Sequence, residues 1–375
     1  MVGPYLNRSD LINCVTLNKQ WYLTFTPHLW KHVQIRCHQE PRHAYKSPIT
    51  QDKRANWFRR LKRSIKAGGL EKNGRYVQTF SCGYFEAVKL LATQGMSCTG
   101  IRKLKLGSYP DPDSPPVNSR SFASLRPLNL SPLQSVFRRS AGLKKLKLAG
   151  RMLDEENGGI EWVLGFIPMS IESLDLRMWD PIKGTREYPR DLQSKKELSG
   201  DGTGCDDSEE WAAPVETQFP HLKYLSFYEY AIDANKKTMR HILSNSTNLE
   251  VILVQDSYQP IRLGLLSRLL SRHCPRVQHL YVENWTDCID AELAELLNAS
   301  KAGWRTLELP TTWSSSNEDE FGPLSTAALV KNAPTLENVR LDSFQKLSLV
   351  AAKEIWRSAP NLQLLDARID EHGQC

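Results

Sequence analysis

IRKLKL (Ile101–Leu106), LKKLKL (Leu143–Leu148), IESLDL (Ile171–Leu176), LKYLSF (Leu222–Phe227) and LEVILV (Leu249–Val254) share one pattern. Their first, fourth and sixth positions are apolar. The phrase returns as VQHLYV from Val277, WRTLEL from Trp304, LENVRL from Leu336 and LQLLDA from Leu362, with a weaker copy, VQTFSC, from Val77. Apolar fourth and sixth positions around a more polar fifth fit a short strand with one buried face. From Leu222 onward the copies start 27, 28, 27, 32 and 26 residues apart. A near-constant period carrying a constant strand phrase marks a stacked repeat rather than an ordinary sheet.

Between the phrases the chain has helical spacing. IDAELAELLNAS from Ile289 places Ile289, Leu293, Leu296 and Leu297 on one face, and segments from Ile261, Leu324 and Leu347 behave likewise. Pro275, Pro334 and Pro360 stand just ahead of the next phrase, where a residue that cannot continue a helix marks its stop. Short strand–helix units favour parallel strands, and stacking buries a face that no single unit could bury alone. The period falls in the roughly 20–29-residue range of leucine-rich repeats. The expected fold is therefore an α/β leucine-rich-repeat solenoid of short parallel strands alternating with helices, about ten units over residues 76–375. A doubly wound sheet also alternates strands and helices, but the constant phrase and the lack of a glycine-rich phosphate loop argue against it.

Two spacings break the period and place insertions at 107–135 and 180–218. From Ile101 to Leu143 is 42 residues, taking in PDPDSPPVNSRSF; from Ile171 to Leu222 is 51, polar and acidic around Asp201, Asp206, Asp207, Glu209 and Glu210. Such composition favours loosely held loops. Bulk composition is that of a water-soluble chain: 375 residues, 40% hydrophobic, 24% charged, net charge +7. That charge falls short of the concentrated basicity of a dedicated nucleic-acid binder. No apolar run approaches the roughly 18 residues that span a bilayer, and the N-terminus lacks the apolar stretch of a secretory signal. Eight cysteines without paired spacing suit reduced thiols, so the expected location is cytoplasmic or nuclear. Cys37, His38 and His43 could ligate a metal, yet no second cluster completes a site. No metal or other cofactor is expected.

At the N-terminus, LNRSDLINCVTLNKQWYLTFTPHLWKHVQI repeats apolar residues at helical spacing and ends in a Pro27–Trp30 turn. A cap over the open end of a solenoid would explain it. The next segment, KRANWFRRLKRSIK from Lys53, sets Trp57, Phe58, Leu61 and Ile65 on one helical face among seven cations. An amphipathic helix under the first strand accounts for that pattern, with RNA or phosphate binding as the sharper alternative. The organisation expected is a helical unit over 1–36, a basic linker or capping helix over 37–75, then the solenoid.

Residues 10–30, as DL-x-x-C-x-x-x-N-K-x-W followed by P-x-L-W, resemble the later part of an F-box. Ile289-Asp290, Ile232-Asp233, Cys274-Pro275 and Ala333-Pro334 echo the cysteine-containing repeat subclass of F-box proteins. The chain resembles the divergent fungal F-box/leucine-rich-repeat type, with an F-box lacking its opening leucine–proline helix. That resemblance implies a substrate-recognition subunit of an SCF-type ubiquitin ligase. Leu11, Val15, Trp21, Pro27, Leu29 and Trp30 would contact the adaptor and, through it, the cullin. It departs at the ninth repeat position, where Tyr109, Trp179, Tyr230, Trp285 and Phe344 replace the usual cysteine or asparagine. Such rings would fill a wider core edge.

In such an array the third, fifth and seventh phrase positions face the concave surface, and this defines a candidate target site. The early strands contribute Lys103, Lys105, Lys145 and Lys147; the middle ones Asp175, Arg177, Tyr224, Tyr228, His279 and Tyr281; the late ones Glu283, Glu308, Asn338, Arg340 and Asp342. Tyrosine and arginine often anchor interfaces, and lysines can hold an acidic or phosphorylated peptide. No G-x-S-x-G elbow, Walker loop, dinucleotide fingerprint or H-E-x-x-H occurs. His273 beside Cys274 suggests a nucleophile and base, but packing at a helix end explains the pair. The expectation is a non-catalytic binding protein: a ligase subunit holding its target on the repeats or, alternatively, a scaffold without a ligase link.

Overall fold

The computed structural model describes residues 6–34, 48–109, 129–150, 159–177, 218–228, 236–255, 261–283, 285–286, 289–309, 322–341 and 346–370. The PDPDSPPVNSRSF segment, the acidic stretch, Ile232-Asp233, Asp342, the Cys37–His43 cluster and the rings of Trp179, Tyr230 and Phe344 lie outside them.

The phrase folds as its pattern dictates. Strands β1 (His32–Gln34), β2 (Thr79–Tyr84), β3 (Lys103–Tyr109), β4 (Lys145–Ala149), β5 (Ser173–Arg177), β6 (Tyr224–Tyr228) and β7 (Val251–Gln255) lie side by side in chain order. After a short strand β8 (Ile261–Arg262), the order continues through β9 (His279–Val282), β11 (Thr306–Leu309), β12 (Asn338–Leu341) and β14 (Leu364–Asp366). These form one 11-stranded sheet, parallel throughout. Consecutive neighbours in a wholly parallel sheet define the α/β leucine-rich-repeat solenoid expected from the period. The sheet opens with His32–Gln34, residues that the sequence pattern assigns to the helical unit.

Helices return the chain between strands: α5 (Glu86–Gln94), α6 (Ser131–Arg139), α7 (Gly159–Leu164), α8 (Lys236–Ser244), α9 (Leu263–His273), α10 (Asp290–Ala299), α11 (Pro323–Asn332) and α12 (Leu349–Ser358). The expected breaks hold: α9 stops before Pro275, and Pro334 falls in a tight turn after α11. Two small parallel sheets fall outside the repeat pattern. β10 (Trp285–Thr286) pairs with β8, and β13 (Lys346–Ser348) pairs with β15 (Arg368–Asp370), where the chain turns from strand to helix.

From Ile101 to Leu341 every first, fourth and sixth phrase position is buried. Each such side chain contributes about 1.5–3 kcal/mol when taken from water. Leu362 and Leu365 in the last copy are only half-buried, because no further repeat covers them among the described residues. In α10, Leu293, Leu296 and Leu297 face the core as expected, whereas Ile289 precedes the helix and is 66% exposed. Trp285 is wholly buried at the core edge.

Neighbouring repeats are also tied by polar links that the apolar pattern does not report. Asp290 at the start of α10 accepts hydrogen bonds from the backbone N–H groups of Leu324 (3.0 Å) and Ser325 (2.9 Å), and so caps the N-terminus of α11. Residues just before each phrase reach one repeat back: Ser170 donates to the Leu143 carbonyl, Asn248 to that of Pro220 and Thr335 to that of Trp304. Second phrase positions pair across strands as Lys144–Glu172 (2.8 Å), Lys223–Glu250 (3.1 Å) and Arg305–Glu337 (3.6 Å).

At the N-terminal end, α1 (Arg8–Leu17) and α2 (Lys19–Lys31) pack as a pair ahead of β1. Asn7 and Asn18 cap them, accepting from Asp10 N–H and Trp21 N–H at 3.0 Å each. The expected turn at Pro27–Trp30 is not there: Pro27 sits inside α2. Tertiary packing overrides the local signal, because Trp30 lies over Gly69, so close that an added Cβ would stand 2.8 Å from the ring. α3 (Pro48–Lys66) and α4 (Gly69–Asn73) follow. Phe58 and Ile65 of α3 are fully buried, and Phe58 stacks on Tyr84 of β2 at 4.5 Å.

Candidate functional site

Because fourth and sixth positions bury inward, third and fifth positions project from the opposite face of the sheet. Register turns them into two rows. One runs His32, Thr79, Lys103, Lys145, Ser173, Tyr224, Val251, His279, Thr306, Asn338; the other runs Gln34, Ser81, Lys105, Lys147, Asp175, Ser226, Leu253, Tyr281, Glu308, Arg340. The sequence-derived target residues are thereby brought onto one face, in bands. Lys103, Lys105, Lys145 and Lys147 form a block on β3 and β4, with Lys103 in register with Lys145 and Lys105 with Lys147. Arg177 stands one strand further along. Tyr224 is separated from His279 and Tyr281 by β7. Tyr228 is in register with Arg177 by its backbone, but its side chain lies outside the described residues. Glu283 follows β9, and Arg340 sits near the far edge, 3.3 Å from Asp366.

Charge on this face is partly neutralised. Asp175 lies between two cations, 3.0 Å from Lys147 and 3.0 Å from Arg177. Burial pulls the Lys147 ammonium below its ordinary pKa, against the attraction of Asp175. Burial, then Lys105 and Lys145, pull Lys103 down. His279 is also lowered by burial, and its Nδ1 is 3.0 Å from the Thr306 hydroxyl. Tyr224 is raised by burial and by Asp175. Between the tyrosines, Val251 and Leu253 add an apolar strip that a search for charged and aromatic side chains passes over.

The helical pair presents a second surface. Leu11 is buried and Val15 half-buried between the helices; Pro27, Leu29 and Trp30 are half-buried. Trp21 is 41% exposed and packs on Phe25 at 5.4 Å. Around it Ile12, Leu17, Tyr22 and Leu23 are exposed too, Leu17 and Leu23 by more than 60%. The sequence pattern missed these four, because helical periodicity selects what a helix buries in its own fold and passes over what it leaves outward.

Other candidates resolve into packing. Cys274 is buried with its thiol 3.2 Å from the Leu243 carbonyl, and burial pushes it up to about 12. A thiol so placed is protonated at neutral pH and does not act as a nucleophile. Among the described residues no group of three or more His, Cys, Asp or Glu side chains could hold a metal ion. No helix among them is long and apolar enough to cross a membrane. A cleft of about 520 Å³ opens on the helix-to-strand edge, with Phe137 and Phe166 beneath Arg138, Lys144 and His221.

The chain matches no protein-family model, and no curated protein matches it. Solved structures with a similar fold include the leucine-rich-repeat-containing protein LegL7 from Legionella pneumophila, at 13% identity, 80% of this chain, 85% of that one and TM-score 0.37. Rad7, in the complex of Rad7 and Elc1 from yeast, gives 14%, 79%, 78% and 0.36. An internalin, inlF, from Listeria monocytogenes gives 14%, 83%, 90% and 0.31. The repeat architecture stands on the strand register and the buried phrase, which need no superposition.

Proposed function

We propose that this chain is a non-catalytic adaptor with two docking surfaces, the substrate-recognition subunit of an SCF-type ubiquitin ligase. The helical pair α1–α2 engages the ligase adaptor, and the sheet face holds the target protein. Proximity is then the whole contribution, since other subunits carry out ubiquitin transfer. The observation that carries this reading is the apolar set Ile12, Leu17, Trp21, Tyr22 and Leu23, left in solvent at one end of a well-buried solenoid. Aromatic and aliphatic side chains gathered outward on one small unit mark a protein-docking surface. The F-box-like sequence over the same helices supplies the class of partner.

The test is co-purification of the full chain with the SCF adaptor and cullin. Trp21→Ala with Leu23→Ala should remove both proteins while leaving the repeats folded by circular dichroism. Trp30→Ala is unsuited to this, because Trp30 packs against the core. If the unaltered chain recovers neither protein, the ligase reading fails and a scaffold without a ligase link stands.

A further inference from the structure

Several charges at the strand entries, and one pair on the sheet face, are matched across neighbouring repeats. Lys144 meets Glu172, Lys223 meets Glu250, Arg305 meets Glu337 and Arg340 meets Asp366. On the lysine block only Lys147 is so treated, and its partner Asp175 is shared with Arg177. Lys103, Lys105 and Lys145 have no carboxylate partner among the described residues, although Lys103 and Lys145 are directly in register. Like charges placed opposite each other on neighbouring strands destabilise a sheet. Strands lie about 4.8 Å apart and residues two apart in a strand about 6.6 Å, so three ammonium groups share a patch about 5 by 7 Å at their bases.

We propose that Lys103, Lys105 and Lys145 form a binding site for a multiply charged oxyanionic segment of a partner protein. The proposal rests on the sheet face being the target-holding surface. Phosphoryl groups and clustered carboxylates share the chemistry needed, oxygens that accept charge-assisted hydrogen bonds from several ammonium groups at once. Half-burial sharpens the need: Lys103 has lost part of its water and gained no counter-ion. The flanks favour a peptide over a nucleic acid. Ser81 on one side and Ser173 on the other offer half-buried hydroxyls, and no ring stands at the third or fifth positions of β2 to β5 on which bases could stack.

The experiment is fluorescence anisotropy on the purified full chain, with a short labelled peptide carrying two phosphoserines. Matched peptides with glutamate or alanine at those positions serve as the other arms. The phosphopeptide should bind and the alanine peptide should not; the glutamate peptide tells a phosphoryl source from a carboxylate one. Lys103→Gln with Lys145→Gln should weaken binding by about tenfold or more, while Lys353→Gln on α12 leaves it unchanged. Relief of the repulsion should leave the double variant melting at the same temperature or higher, and Lys105→Gln should reproduce a smaller loss. Unchanged peptide affinity in the double variant would overturn the proposal, as would a fall in its melting temperature or tighter binding of oligouridylate RNA. No adaptor enters the assay, so loss of the ligase reading and loss of this site give separate results.

Discussion

Asp290 shows how much one residue can hold in a stacked array. It opens α10 and caps α11, so its carboxylate belongs to two repeats. Burial works to raise its pKa, but hydrogen bonds from the Ser325 hydroxyl and from the backbone of Ser325, Leu324 and Gly322 prevail and hold it below the usual carboxylate range. Asp290→Ala should cost about 1–2 kcal/mol, the loss of a good cap, measured by urea denaturation. The Ile-Asp motif was visible in the sequence, yet its reach of 34 residues was not, because periodicity carries no information on side-chain polar bonds. Trp285 shows the opposite case. A ring at the ninth position is expected to fill a wide core edge, and it is fully buried.

Among the elements, strands were the most legible. Three apolar positions per phrase fixed the buried face, and alternation then placed Lys103 through Arg340 outward. Pro27 was misleading because proline is a strong local signal, and here packing of Trp30 over Gly69 outweighs it. β8 and β13 went unread, since two- or three-residue strands are set by pairing with β10 and β15 rather than by pattern. Joints between elements give a sharper test. Trp304 opens the phrase leading to β11, is wholly buried, and donates from Nε1 to the Leu297 carbonyl of α10 at 2.8 Å. Trp304→Ala should cost about 3–5 kcal/mol, and hydrogen exchange should rise most in α10 and α11, because each repeat leans on its neighbours.

For the molecule as a whole, pH is an informative variable. Burial is the largest cause that lowers the half-buried His273 and His279 from the ordinary imidazole value. The unfolded chain therefore takes up protons at these sites before the folded one. Their share of stability is intact above about pH 6.5 and is lost as pH falls through the folded values. Asp290, also lowered, adds a second loss, starting below about pH 4. Melting temperature should accordingly fall from pH 7 to pH 5, and His279→Gln should flatten that slope. A melting temperature flat over that range would count against the burial of these rings.

The proposed docking of a ligase adaptor at one end of the solenoid also belongs to the whole molecule. Toward it the sequence offers a resemblance, part of which lies in packing residues such as Leu11 and Trp30. What it could not offer was the outward set beside Trp21, which only the folded pair displays. The direct measurement is calorimetric titration of purified SCF adaptor into the purified chain. The expected result is saturable one-to-one binding that Trp21→Ala with Leu23→Ala removes at unchanged melting temperature. Absence of binding by the unaltered chain, or equal binding by the double variant, would contradict it.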